Sequence, residues 1–119
     1  MRAHHKISVQ GAYFLLIKEG KKKVEGRIHK NQYREMQVGN LVEFQNESDP
    51  QQTLLCRIDH KQVYPSFKQM LVEEGVDLCL PGVLSIDTGE SIYHGFPCYA
   101  QDAREFGVVA FRISNLESQ

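Results

Sequence analysis

The chain reads as an α+β domain, a small curled sheet or barrel of about five strands flanked by short helices. Three observations carry this reading. Apolar and polar residues alternate strand-fashion in separate stretches along the chain. Short helical patterns lie between those stretches, and glycine closes several of them. The length, 119 residues with 41% hydrophobic side chains, suits a single domain over 1–119 with a core that needs no staples.

The elements follow in order. "HKISV" at 5–9 alternates and reads as a strand. "QGAYFLLIKEG" puts Tyr13, Phe14 and Ile17 on one helical face, and Gly20 is a natural residue to end it. "KKVEGRIH" alternates again, with Val24 and Ile28 on one face and Lys23, Glu25, Arg27 and His29 on the other. "NQYREMQVGN" predicts a helical turn ending at Gly39. "LVEFQN" is a strand with Val42 and Phe44 on its apolar face, and "ESDPQ" is a turn. "TLLCRIDHKQVY" is a longer strand that sets Leu54, Cys56 and Ile58 opposite Leu55, Arg57 and Asp59. Pro65 is expected to open the next helix, with Phe67, Met70 and Leu71 as its stripe and Gly75 as its stop. "VDLCLPG" reads as an apolar loop. Two short helices divided near Pro97 follow, and then the strand "VVAFRIS", with Val109, Phe111 and Ile113 facing one way. The core is expected to span roughly 5–113, and the tail "NLESQ" to fray.

Bulk composition excludes some functions. The formal net charge is −1, so the molecule as a whole does not steer toward nucleic acid. An anion site has to be built locally from a few placed cations. No stretch approaches 18 consecutive apolar residues, so no membrane helix is expected. "MRAHHKISVQ" lacks the apolar core of a signal peptide. Cys56, Cys79 and Cys98 are widely spaced without a CxxC, which reads as reduced thiols, buried or half-buried, in a cytoplasmic protein.

One stretch stands out: "EGKKKVEGRIH", residues 19–29. A solvated strand end could carry such charges, as a surface ion pair worth ~0–1 kcal/mol. So could a site that grips an anionic ligand. On a regular strand Glu25 and Arg27 share a face, whereas Lys22 falls on the other. Lys22 joins them only if the chain after Gly20 is not yet strand at that point. Gly26 leaves room for a ligand or a packed helix.

In this stretch Gly20, Lys22, Glu25 and Arg27 spell Gly-x-Lys-x-x-Glu-x-Arg after a short helix and at the opening of a strand. "VGNLVEF" and "SIYHGFPCYAQDAREFGVVAFRI" follow in order. Over nearly the whole chain this resembles the ASCH domains, relatives of the PUA domains of RNA-modifying proteins. Asn40 stands where that family usually has Asp. The resemblance implies a PUA-like β-barrel with a cleft beside the first helix and the motif strand. It implies a ligand that is RNA, a nucleotide or a modified nucleoside. One bacterial branch removes the acetyl group of N4-acetylcytidine, some members are ribonucleases, and others sit in transcription coactivators. The deacetylating branch has Lys and Arg where this chain has Lys22 and Arg27, but Thr where it has Glu25. A hydroxyl can attack an acetyl group, whereas a carboxylate would give an anhydride or act only as a base. That branch also needs a second acid, for which Glu73 and Glu74 are the nearby candidates. Both are read as a solvated helix end.

The roles expected of the motif follow from its chemistry. Arg27 offers a planar fork of donors for phosphate or a base edge, or clamps Glu25. Lys22 contacts phosphate or, if its pKa falls on burial, serves as a base. Glu25 accepts from an exocyclic amine or takes a proton from water. Tyr93 is the best candidate to stack on a base, ahead of Tyr64 and Tyr99, with core packing as the alternative. Lys21, Lys23, Lys30 and Arg34 could extend the cation patch or be solvated surface. Ser66 and Ser91 have no evident base, and His4, His5, His29, His60 and His94 are scattered, so neither a metal nor a cofactor is expected. A binding module for RNA, nucleotide or nucleoside is the favoured reading. The alternatives are a hydrolase using Lys22 and Glu25, and a protein-interaction domain. The sequence does not determine the oligomeric state, and a monomer is the expectation.

Overall fold

The shape follows from one long strand. The computed structural model describes residues 3–117. Strand β4 (Asp49–Tyr64) is 16 residues long. Its first half pairs antiparallel with β3 (Leu41–Asn46) and its second half with β5 (Val108–Asn115). Register shifts near Gln45 and at Ile58/His60 bend the ribbon, as bulges do. Strand β1 (His5–Val9) adds to β3 in parallel, and β2 (Val24–Ile28) adds to β5 antiparallel. The order is β1-β3-β4-β5-β2, a curled half-barrel whose ends, β1 and β2, do not pair with each other.

Six helices complete the described α+β fold: α1 (Gly11–Lys18), α2 (Gln32–Glu35), α3 (Phe67–Glu74), α4 (Val76–Cys79), α5 (Ile86–His94) and α6 (Tyr99–Phe106). Both faces of the sheet are covered. Inside the curl, Phe14 and Ile17 of α1 pack against Ile7, Val42, Phe44, Cys56, Ile58, Val109, Phe111 and Ile113. On the other face, Phe67, Met70, Leu71, Cys79 and Tyr93 of α3 to α5 cover Val24, Ile28, Val108 and Ala110. That double cover is why β5 reads as a nearly unbroken apolar run. No described helix is long and apolar enough to cross a membrane.

Several sequence expectations need correction. Pro65 does not open α3: Ser66 caps it, accepting from the Gln69 N–H at 3.1 Å. The turn expected over "ESDPQ" is only residues 47–48. The Asn46 side chain takes the Ser48 N–H at 2.9 Å, closes the hairpin at once, and lets Asp49 and Pro50 start β4. "VDLCLPG" holds a one-turn helix, α4, because Leu80 N–H reaches Val76 O. Helix α2 ends at Glu35, short of Gly39, since Met36 turns extended to enter the core. At the tail, Leu116 and Glu117 are tied to Leu55 rather than frayed. Ser118 and Gln119 lie outside the described residues.

Cys56 and Cys79 are buried as expected, and burial pushes their thiols up to about 12 and about 11. Cys98 is exposed, because φ of 67° holds it in the turn outside α6. A thiol reagent is therefore expected to label one cysteine quickly in the native protein and all three in denaturant. Fast labelling of more than one would mean that the helical cover opens readily.

Candidate functional site: a cleft in the open seam of the sheet

The two unpaired ends of the sheet make the site. A cavity of about 360 Å³ opens between β1, at Ser8, and β2, at Glu25 to Arg27. Tyr13 of α1 and the α5–α6 connection, with Phe96, Pro97 and Tyr99, form its other walls. Parity explains how charged residues come to sit at an interior position. Glu25 pairs with Phe111 and Arg27 with Val109, so both point into the curl where apolar side chains would otherwise go.

Lys22 does join them. Strand β2 begins only at Val24, so Lys22 sits in the approach and is free of strand alternation. Gly20, at φ +78°, makes that sharp exit from α1 possible. Lys22 is 4% exposed, and its Nζ donates to Cys79 O at 2.5 Å and to Val24 O at 2.7 Å. It also lies 3.4 Å from Glu25 Oε1. Three acceptors match the three protons of an ammonium group. Glu25 is 6% exposed, and its second oxygen takes Arg27 Nε at 2.7 Å. Burial opposes its ionisation, but Arg27 and then Lys22 outweigh that and hold the carboxyl below its ordinary value.

Arg27 spans the seam. Its Nη2 reaches across to Ser8 O at 3.2 Å, and its Nη1 donates to the Tyr33 hydroxyl at 3.0 Å. Three of its N–H donors go to Glu25, Tyr33 and Ser8, and the Tyr99 hydroxyl on the cleft wall also interacts with the guanidinium. Burial lowers its tendency to hold its proton, and Glu25 more than restores it, so the guanidinium stays charged. Two cations around one carboxylate leave a single positive charge within this triad, and the exposed Glu47 on the cavity wall balances it.

The aromatic groups divide into two sets. Tyr93 is buried, with its ring stacked on Phe67 at 4.3 Å and 3°. Its hydroxyl has no hydrogen-bond partner. Burial first, and neighbouring Cys79 and Glu25 after it, raise this phenol well above its usual range. Tyr13, Phe96 and Tyr99 are half-buried at the walls and present ring surface to the cleft. Sequence reasoning grouped Tyr13 with Phe14 and Ile17 on one helical face and passed over Phe96. The available signal was an aromatic residue one turn or more ahead of the charged motif, on the same helix that leads into it.

Other candidates lie elsewhere. Glu73 is exposed and bonds Gln69 at 3.0 Å. Glu74 is buried rather than solvated, because Arg112 Nε at 2.9 Å and the Tyr64 hydroxyl hold it against the sheet. Neither acid lines the cleft. Ser66 is a helix cap, His4 accepts from Leu41 N–H, and His5 bonds Asn40. Lys21 pairs with Glu19 at 3.6 Å and Lys30 with Asp102 at 2.8 Å, away from the floor of the cleft. Among the described residues no three His, Cys, Asp or Glu side chains gather as metal ligands.

Known proteins give a consistent picture. Comparison with curated proteins gives no match. Among solved structures, the crystal structure of the hypothetical protein PH0355 is 35% identical, with a TM-score of 0.84 over 94% of this chain and 98% of that one. The solution structure of protein PF0455 from Pyrococcus furiosus is also 35% identical, with a TM-score of 0.76 over 94% and 96%. The crystal structure of ASCH from Zymomonas mobilis shares the fold at 14% identity, with a TM-score of 0.63 over 92% of this chain and 66% of that one. A sequence model of the ASCH domain matches residues 7–117, which takes in the sheet except the first two residues of β1, and every residue lining the cleft. The chain belongs to the ASCH domain family.

Proposed function

We propose that the cleft binds RNA, a nucleotide or a modified nucleoside and acts as a reader rather than a catalyst. One observation carries this: a charged, hydrogen-bonding floor built from Lys22, Glu25 and Arg27 lies beneath half-buried aromatic walls. Stacking surface with a placed cation is what single-stranded nucleotides use. The planar guanidinium of Arg27, which lines the cleft, suits a phosphate or carbonyl oxygen. Lys22 is locked to two main-chain carbonyls and to Glu25, and Glu25 is locked to Arg27 as well, which favours a fixed electrostatic role over proton transfer.

The test is titration with nucleoside monophosphates and short single-stranded RNAs, followed by NMR shifts and by product analysis. Binding should weaken as salt rises. Tyr99→Ala should lose about 1–3 kcal/mol of affinity, the scale of one base stacked on an aromatic ring. Absence of any shift at residues 20–29 across all these ligands would overturn the reading. Turnover of RNA or of an N4-acylated cytidine in the same samples would replace the reader by a hydrolase.

A further inference from the structure

The hydrogen bonding of the two sheet ends bears on how the cleft recognises its ligand. Ile113 N–H bonds Lys23 O, and His29 N–H bonds Gly107 O. In an antiparallel pair the bonded residues alternate, so the odd-numbered residues of β2 face β5. The even-numbered ones turn their N–H and C=O outward, into the seam. Val24 O is filled there by Lys22 Nζ, and Ile28 O by Lys30 N–H. Between them, the Gly26 N–H and C=O lie side by side on the free edge and line the cleft without a strand partner. Across the seam, Glu47 N–H bonds Val9 O, so Ser8 turns outward and its C=O takes Arg27 Nη2.

A second observation falls at the same place. The Tyr93 hydroxyl is buried and unpartnered. A Cβ on Gly26 would sit 3.2 Å from that hydroxyl and 2.7 Å from Met70 Cε. A larger residue would therefore collide with Met70 beside that hydroxyl, so glycine is what lets the strand edge and the hydroxyl lie this close. Buried polar groups normally have partners, and these three atoms converge on one cavity.

We propose that Gly26 N–H and C=O, together with the Tyr93 hydroxyl, read the hydrogen-bonding edge of a nucleobase that lies in the seam as an added rung of the sheet. The proposal rests on the nucleotide reading of the cleft and deepens it. Every nucleobase carries a neighbouring donor and acceptor on its pairing edge, which matches a strand residue's N–H and C=O. The base has to be unpaired, because the edge read here is the one a complementary strand would occupy. Arg27, beside it, faces the ribose-phosphate side.

The experiment uses the full chain, labelled with ¹⁵N and titrated with the four nucleoside 5′-monophosphates and with ribose 5-phosphate. For at least one nucleotide the Gly26 amide should move most among main-chain signals, and downfield. Ribose 5-phosphate, which has no base, should leave it in place. Tyr93→Phe should weaken that nucleotide roughly three- to tenfold, the size of one net hydrogen bond, with an unchanged or higher Tm. A hydroxyl that serves packing or water alone would leave the affinity unchanged, and that result overturns the proposal. Nucleotide shifts around Arg27 with Gly26 still would overturn it too, while leaving the cleft a nucleotide site. If neither these nucleotides nor the short single-stranded RNAs shift any cleft residue, both readings fall.

Discussion

Replacing Lys22 by methionine is expected to destabilise the protein by about 3–5 kcal/mol, the usual cost of removing one partner from a buried ion pair. The side chain is 4% exposed, and its ammonium holds two carbonyl oxygens and the Glu25 carboxylate. Methionine fills the volume and leaves those acceptors bare. For a domain of this size the loss is roughly 15–25 °C in Tm, read by thermal unfolding. The double variant K22M/E25Q should lose less than the two single losses added together, by roughly 0.5–3 kcal/mol, because the carboxylate no longer needs a counter-ion. A wild-type Tm in K22M would show that the charge is not held by the fold and would return Lys22 to the list of groups free for chemistry. Loss of activity in Lys22→Ala would therefore not identify a catalytic lysine on its own, since the fold suffers first.

Glu25→Gln should show the second large effect, again about 3–5 kcal/mol near neutral pH, since two cations are left beside a neutral amide. Its signature lies in the pH dependence. The folded carboxyl is held below its ordinary value by Arg27 and Lys22, against the effect of burial. Its stabilisation is therefore complete above the unfolded value of about 4.3 and is lost as pH falls through the lower folded value. Wild-type stability measured by denaturant titration should drop across that acid window, and the Gln variant should be flatter there. Parallel curves for the two proteins would mean that Glu25 is not the ionised centre of the cleft.

The alternation that places Glu25 and Arg27 on one face is a property of any strand, and it was legible from residues 23–29 alone. So were the apolar faces of β3, β4 and β5, because a period of two needs no partner to be visible. The glycine that ends α1 and the Gly75 that ends α3 were equally local. What failed locally failed for local reasons: proline outweighed the serine cap beside it, and an Asp-Pro pair was read as a turn although Asn46 had already closed the hairpin. The resemblance to ASCH domains rested on motif order along the chain, and the match over 7–117 bears it out.

Tertiary structure decided the rest. Whether charges on a strand are solvated or buried depends on what closes over them, and here Glu25 faces the interior of a curled sheet whose end strands β1 and β2 do not pair. Lys22 reaches Glu25 because Cys79, 57 residues later in the chain, presents its carbonyl there. Glu74 and Glu73 are neighbours in sequence, yet Arg112 and Tyr64 draw only the first into the protein. Sequence determined which residues could face the same way. The open seam between β1 and β2, set by long-range pairing that no local pattern encodes, decided that they line a cleft.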